Sequence, residues 1–276
     1  RQDLTGAVNV CDAPLYGGLA SIKGADGVLA DAEARAARLW GADWCRFSVA
    51  GSTHGNQAFC LAMGQPGQEV IITRTLHRSL LLGLVMAGLR PVWVRPEIDQ
   101  GTGLPGAVAV QTVKDALAAH PGACGVILGD PSYIGTTGDL AGHARAAHEA
   151  GVPLIVDQAW AAYLGFHPDL PAHAIAAGAD GMVTSAHKTL PAYTQGAVML
   201  ARTERLDRAL EEFLAELDRV RVLDENFDDP PGHLGLDLVH ELHRLDDAED
   251  LAFLHEIAFA DVGIRGRRGR TVERAD

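Results

Sequence analysis

A lysine and an aspartate, each placed after an apolar run, are the residues of this chain best suited to covalent cofactor chemistry. Lys188 lies in the segment Thr184-Ser185-Ala186-His187-Lys188-Thr189, just beyond the strand-like run 181–183. Asp157 ends an earlier apolar run, 152–156. An amine can bond to the aldehyde carbon of pyridoxal phosphate, and a carboxylate can keep the pyridine nitrogen of that cofactor protonated. The pair therefore predicts pyridoxal phosphate chemistry, with a Schiff base on Lys188.

Each of these two residues also has an ordinary structural interpretation. A lysine is most often a solvated surface residue, and an aspartate after a strand often caps a helix or forms an ion pair. The surface interpretation is less favoured for Lys188 because the only other lysines are Lys23 and Lys114. Asp157 follows a wholly apolar stretch, so we expect it to be partly buried and to need a cationic or hydrogen-bonding partner.

Short apolar runs alternate with segments of helical periodicity between residues 27 and 201. This pattern predicts an α/β fold with a mostly parallel, seven-stranded type of sheet and helices on both faces. Ligands of such sheets bind at the carboxyl ends of the strands. The segments 50–56, 131–137 and 185–188 and the residue Asp157 all follow predicted strands, so we expect them to meet at one edge of the sheet.

The composition predicts a division of the chain into three parts. Residues 1–203 form the predicted cofactor-binding major domain, 204–264 a short and mostly helical region, and 265–276 a basic tail predicted to be disordered. The segment His240-Glu241-Leu242-His243 has its histidines three residues apart, unlike a HExxH site, so no metal site is predicted.

The net charge and the cysteines of the chain indicate which partners it binds and in which cellular compartment it is found. A net charge of −13 argues against binding to nucleic-acid phosphates. No apolar run reaches the roughly 20 residues of a membrane-spanning helix, and residues 1–20 lack the pattern of a signal peptide. The four cysteines form no CxxC pair and are expected to be reduced thiols. We therefore expect a cytoplasmic protein with no nucleic-acid or membrane partner.

Two further segments have the residue types that hold a phosphate and a planar ring. Gly51 to Asn56 follows a strand and opens a helix, so its backbone N–H groups, with Ser52 and Thr53, are suited to cradling a phosphate. The alternative is that Ser52 and Thr53 simply cap the helix. His77 follows another strand and can stack on a planar ring, although a capping or surface histidine is the alternative interpretation.

Five motifs occur in order along roughly residues 25–203. They are Ala50-Gly51-Ser52-Thr53-His54-Gly55-Asn56-Gln57-Ala58, Leu76-His77-Arg78-Ser79, Asp130-Pro131-Ser132-Tyr133-Ile134-Gly135, Asp157-Gln158-Ala159-Trp160 and Ser185-Ala186-His187-Lys188-Thr189-Leu190-Pro191-Ala192. Together they resemble the motifs of the Orn/Lys/Arg decarboxylase family, which are pyridoxal phosphate enzymes with the aspartate-aminotransferase-like fold.

The resemblance implies a role for each motif. Lys188 is expected to form the Schiff base, Asp157 to pair with the ring nitrogen, and His77 to stack on the ring. Trp160 is expected near the ring hydroxyl, and Ser132 near the ring. The phosphate group is expected to contact Ser52, Thr53, Ser185 and His187, and His187 is also a candidate proton donor.

The activity implied by the resemblance is decarboxylation of a basic amino acid, namely lysine, ornithine or arginine. A homodimer or larger homo-oligomer is also implied, because the family shares its active site between subunits. Compared with the family, the chain is interpreted as shortened at its C-terminus. Two alternatives stay open: another pyridoxal phosphate reaction such as transamination, and a shortened homologue without catalysis.

Overall fold

Helices and strands alternate along most of the computed structural model, which describes residues 27–202 and Leu206, and two strands follow each other once without an intervening helix. The helices are α1 (Gly27–Trp40), α2 (Gly51–Met63), α3 (Arg78–Ala87), α4 (Val110–Ala119), α5 (Leu140–Glu149) and α6 (Ala186–Thr189). The strands are β1 (Trp44–Ser48), β2 (Glu69–Thr73), β3 (Arg90–Val94), β4 (Val126–Gly129), β5 (Leu154–Asp157), β6 (Gly181–Ser185) and β7 (Ala197–Ala201). Within residues 27–202, no helix combines the length and the apolar character needed to cross a membrane.

The seven strands form one sheet in the order β1-β7-β6-β5-β4-β2-β3. Strands β6, β5, β4, β2 and β3 run parallel to their neighbours in this series. Strand β7 is antiparallel to both β1 and β6. The predicted mostly parallel, seven-stranded α/β sheet is therefore confirmed. The carboxyl ends of the parallel strands lie at one edge, where ligands of such sheets bind.

Side chains of the central strands alternate between two hydrophobic cores, one on each face of the sheet. On β2, Val70 and Ile72 pack with Phe59 of α2, whereas Ile71 belongs to the opposite core with Trp40 of α1. This two-residue alternation is inherent in extended backbone, and burial of both faces explains why these strands are continuously apolar. Helices α2 and α3 cover one face, and α1, α4 and α5 cover the other, which confirms the predicted layering.

Two glycines determine where α2 begins and how closely it packs against the sheet. Gly51 has φ +72°, a left-handed conformation that lets the chain turn sharply from β1 into the helix. At Gly55, a β-carbon would lie 2.9 Å from Met199 Cγ and from Val183 Cγ1, so only glycine allows α2 to pack this closely on β6 and β7. The close approach brings the next residue, Asn56, to the carboxyl end of β5.

The apolar runs 152–156 and 181–183 are observed as β5 and β6, with ends that differ by at most two residues. The segment 50–56, predicted as a turn that opens a helix, is already helical from Gly51. The predictions for 204–264, for the tail 265–276 and for the segment 240–243 fall outside the described residues and stay predictions.

Candidate active site

Lys188 lies in the four-residue helix α6, directly after the carboxyl end of β6. Its Nζ is 4.2 Å from the centroid of the Trp160 ring, so the ammonium group rests on an aromatic face. Partial burial lowers the pKa of Lys188, although the charge of Asp157 opposes this shift. A lowered pKa leaves more of the amine neutral, which is the form that attacks an aldehyde.

Asp157 ends β5 and is only 7% exposed. Its Oδ2 accepts a hydrogen bond from Asn56 Nδ2 at 2.8 Å, and its Oδ1 accepts one from the backbone N–H of Ala159 at 3.1 Å. Burial raises the pKa of this carboxyl; the two hydrogen bonds and the electrostatic influence of His77 and Lys188 offset only part of the effect. Another cation next to Asp157 would therefore be stabilising.

A chain of hydrogen bonds connects Asp157 to His77. Asn56 Nδ2, besides bonding to Asp157, donates to Ser79 Oγ at 2.9 Å. The Ser79 hydroxyl lies 2.8 Å from His77 Nδ1, which also accepts from the Ser79 backbone N–H at 3.2 Å. Nδ1 is thus the acceptor, and the ring proton is on Nε2. Burial lowers the pKa of His77 despite the nearby charge of Asp157, which favours a neutral, fixed imidazole.

An open cleft of about 350 Å³ brings these groups together at the carboxyl ends of the strands. Half of its lining consists of residues predicted from the sequence: His77, Ser132, Asp157, Trp160 and Lys188. The rest of the lining is Thr75, Gly129, Pro131, Tyr133 and Ala159. The cleft therefore combines a partly buried amine, a buried carboxylate and a neutral imidazole.

Three predicted phosphate contacts are not part of the cleft lining. Ser52 and Thr53 lie in the first turn of α2, and Ser185 ends β6. Ser185 Oγ donates to Ser52 Oγ at 2.9 Å, whereas Thr53 is exposed. The capping alternative is wrong, because the residue at the cap position is Ala50, which makes no side-chain capping bond. Backbone N–H groups at a helix start carry partial positive charge and are suited to an anion.

His187 also lies outside the cleft lining. Its Nδ1 donates to the carbonyl oxygen of Gly196 at 2.9 Å, and its backbone N–H bonds to the same oxygen at 3.1 Å. These bonds fix the orientation of the imidazole ring. Of the two ring nitrogens, Nδ1 is used by the bond to Gly196 and Nε2 is not.

Two residues of the hydrogen-bonded chain, Asn56 and Ser79, are not among the predicted site residues. Both are 1% exposed, although they lie in helical segments where polar residues usually face solvent. The sequence signal for these two residues is their position inside the motifs 50–58 and 76–79, which does not show which side chains face the site. Within residues 27–202, no three His, Cys, Asp or Glu side chains form a group able to hold a metal ion.

Residues 10–219 match the sequence family described as "Orn/Lys/Arg decarboxylase, major domain". The chain belongs to the Orn/Lys/Arg decarboxylase family. The predicted family membership is therefore confirmed, and the match covers most of the chain, including all of the elements described above.

Curated relatives in the Orn/Lys/Arg decarboxylase family are considerably longer than this chain. The "Uncharacterized protein YaaO" of Bacillus subtilis is 36% identical over 188 residues, covering 68% of this chain and 39% of the relative. An "Arginine decarboxylase" of Bacillus subtilis is 35% identical, covering 64% and 36%. "Lysine decarboxylase LdcA" of Pseudomonas aeruginosa is 27% identical, covering 69% and 28%. The chain thus spans about a third of the length of these relatives.

Solved structures share the fold of this Orn/Lys/Arg decarboxylase family member. The constitutive lysine decarboxylase of E. coli superposes with a TM-score of 0.64 at 22% identity, covering 78% of this chain and 32% of that one. The pyridoxal-5'-phosphate dependent protein YhfS from Escherichia coli superposes with a TM-score of 0.54 at 16% identity, covering 67% and 47%. At such identities the likeness shows the fold alone.

Proposed function

We propose that this chain binds pyridoxal phosphate in the cleft around Lys188 and acts in the decarboxylation of a basic amino acid, namely lysine, ornithine or arginine. The observation that carries the proposal is the placement of a partly buried amine, Lys188, and a buried carboxylate, Asp157, in the lining of one cleft. The arginine and lysine decarboxylases among the relatives support the reaction and the substrate class.

The residues of the cleft fit pyridoxal phosphate. Burial raises the pKa of Asp157, and the protonated ring nitrogen of the cofactor would supply the cation that this carboxyl lacks. When bound, pyridoxal phosphate supplies an aldehyde that bonds to amines and a protonated ring that withdraws electrons from the bonds at the α-carbon of an amino acid. The first turn of α2, without a side-chain cap, is suited to its phosphate group.

The side chains of the chain have separate tasks in this proposal. Lys188 holds the cofactor through its amine, and its lowered pKa favours that reaction. Asp157 keeps a proton on the ring nitrogen, while the bond from Asn56 fixes the carboxylate. His77 would lie against the ring of the cofactor, and Trp160 would lie near its hydroxyl group. The proposed phosphate contacts are Ser52, Thr53, Ser185 and His187, and Ser132 is proposed near the ring.

His187 is also the proposed source of the proton that replaces the lost carboxylate on the α-carbon. That proton would come from Nε2 of the doubly protonated ring, because Nδ1 keeps its own proton in the bond to Gly196.

We also propose that the protein is a cytoplasmic homodimer or larger homo-oligomer with no nucleic-acid or membrane partner. Large side chains exposed around the cleft, Tyr133 at 64%, Ile134 at 51% and Trp160 at 46%, support burial against another subunit. Cys45, Cys60 and Cys124 are free thiols, which supports a reducing compartment.

The decisive experiment is absorption spectroscopy of the purified chain with added pyridoxal phosphate, before and after borohydride. We expect a visible band that borohydride removes in the wild type and that is absent in Lys188→Ala. Lys114→Ala is the matched control, because Lys114 lies on the surface and pairs only with Glu149 among the contacts described. Absence of a band in the wild type would refute cofactor binding and favour a non-catalytic homologue.

Amino-acid turnover then separates decarboxylation from transamination. We expect release of CO₂ from lysine, ornithine or arginine, in proportion to the amine formed. Formation of a keto acid without CO₂ would instead assign the cleft to transamination.

A further inference from the structure

A second cleft adjoins the one that contains Lys188, and Ser132, in the wall that both share, is the only one of its lining residues with a role proposed above. The second cleft also has an empty volume of about 350 Å³. The two clefts share Thr75, Gly129 and Ser132 in their walls, so they are neighbouring compartments of one larger depression.

Asp130 is a buried carboxylate in the wall of this second cleft, 7% exposed. Its Oδ2 accepts a hydrogen bond from the backbone N–H of Gly138 at 2.6 Å. Among the described residues that line the cleft there is no lysine or arginine to neutralise it. Burial accordingly raises the pKa of Asp130 to about 6. A carboxylate in this situation is stabilised by any cation that enters the cleft.

His143 of α5 lies in the same wall and is 1% exposed. In the described part of the chain, neither ring nitrogen makes a hydrogen bond of acceptable geometry. Burial lowers the pKa of His143, and the nearby backbone of Val108, the charge of Asp139 and the backbone of Ala109 oppose this shift only in part. The lowered pKa favours the neutral ring, which has one acceptor nitrogen.

Gly138 shows that Asp130 and His143 border the same small space. A β-carbon at Gly138 would lie 3.5 Å from Asp130 Oδ2 and 3.6 Å from His143 Cε1. The same β-carbon would lie 3.2 Å from Ala107 Cβ, so an added methyl group would occupy the space between an acidic oxygen and an imidazole edge in close contact with Ala107.

The polar groups around this space share one property, which is that each can accept a hydrogen bond. The carboxylate of Asp130 only accepts, the neutral ring of His143 has one acceptor nitrogen, and hydroxyl oxygens come from Thr73, Thr75, Ser132 and Thr136. The complementary ligand carries positive charge and only donates hydrogen bonds. Alkylammonium and guanidinium groups have that chemistry.

We propose that the second cleft binds the positively charged end of the substrate side chain, with Asp130 as its counter-ion and His143 as a neutral acceptor. This inference rests on the proposed function, because it places the α-amino group of the substrate in the neighbouring cleft with Lys188. The wall shared by the two clefts is the route along which a basic side chain extends from one to the other.

The first test needs no cofactor, so it measures cation binding by the second cleft independently of the proposed function. The Cε1–H resonance of His143, assigned by its absence in His143→Leu, is followed by NMR at constant ionic strength. Butylammonium and methylguanidinium are the probes, and 1-butanol is the uncharged control. We expect a saturable shift with both cations, and affinity weaker by about tenfold or more in Asp130→Asn. Asp115→Asn, which removes an exposed aspartate on α4, should bind as the wild type does.

Gly138→Ala is the steric counterpart, because its methyl group fills the space while both polar side chains remain. We expect probe affinity to fall in this variant as well. The proposal is overturned if neither cation shifts the resonance, if 1-butanol shifts it equally, or if Asp130→Asn binds the cations like the wild type.

The second test connects the cleft to the substrate. In the cofactor-loaded chain, lysine is compared with norleucine, which has the same carbon skeleton but lacks the terminal amine. We expect Asp130→Asn to reduce the preference for lysine in binding by about tenfold or more, with the cofactor absorption band still present. An unchanged preference overturns the proposal. A wild type without the band overturns the proposed function instead, and the NMR test still decides whether the cleft binds cations.

Discussion

Replacing Asp130 with asparagine should make the folded chain more stable at neutral pH, by an amount that shrinks in acid. Burial raises the pKa of this carboxyl from 3.8 to about 6, so the native state favours the neutral form. A carboxyl whose pKa is higher in the native than in the unfolded state destabilises the fold progressively as pH rises from the lower value through the higher one. Above both values the penalty is constant.

The penalty follows from the two pKa values. It is about 1 kcal/mol at pH 4.5 and about 3 kcal/mol at pH 8, since a tenfold difference in the acid dissociation constant corresponds to about 1.4 kcal/mol. Asparagine has nearly the same shape and no charge in either state, so Asp130→Asn removes the penalty. Its amide oxygen can still accept the bond from Gly138. The gain in unfolding free energy should therefore be larger by about 2 kcal/mol at pH 8 than at pH 4.5.

Urea unfolding of the cofactor-free chain at these two pH values measures the difference. Asp115→Asn is the control, because that side chain is exposed and its removal should change stability little at either pH. The reasoning is refuted if Asp130→Asn changes the unfolding free energy equally at both pH values, or if it destabilises the chain at pH 8. A confirmed gain would also mean that the chain keeps a destabilising charge, as expected of a binding site.

Two further substitutions test the interior of the site by the same unfolding measurement. Asn56→Ala leaves the buried Asp157 carboxyl with one bond fewer, so we expect a loss of about 2 kcal/mol; an unchanged unfolding free energy would mean that this bond does not stabilise the fold. Gly181→Ala places a β-carbon 2.6 Å from Phe59 Cε1, so we expect a loss of about 1–3 kcal/mol, partly restored by adding Phe59→Leu; an unaltered midpoint for the single variant would contradict this packing.

The sheet and the meeting of Asp157 with Lys188 were predictable because both depend on local patterns. Strands buried on both faces are continuously apolar, as Val70 to Ile72 show, and such runs are visible in a single sequence. Asp157 ends β5 and Lys188 follows β6, and these strands are parallel neighbours. Two residues at the carboxyl ends of such strands must lie at the same edge.

The remaining parts of the site depend on contacts between distant segments. Asn56 meets a carboxylate 101 positions away, and no local pattern marks that partner. Asp130 next to a proline has the composition of an exposed turn, and His143 is one of 12 histidines. Their burial in one wall follows from the packing of α5 against the sheet, which the periodicity of α5 does not specify. The position of β7 between β1 and β6 is likewise absent from the local sequence.

The placement of β7 also sets an order of events during synthesis. Strand β1 is at the edge of the sheet, and β7 is its sole neighbour among the described strands, so β1 cannot join the sheet until residues 197–201 have left the ribosome. The start of α2 also depends on the segment next to β7, because the Gly51 N–H donates a hydrogen bond to the carbonyl oxygen of Gln195 at 2.8 Å. A nascent chain that stops before β7 can already form the parallel part of the sheet, from β2 through β6. The start of α2, which is the proposed phosphate-binding site, is not yet fixed at that stage. Under the proposed function, capture of the cofactor would therefore be a late event, coupled to insertion of β7.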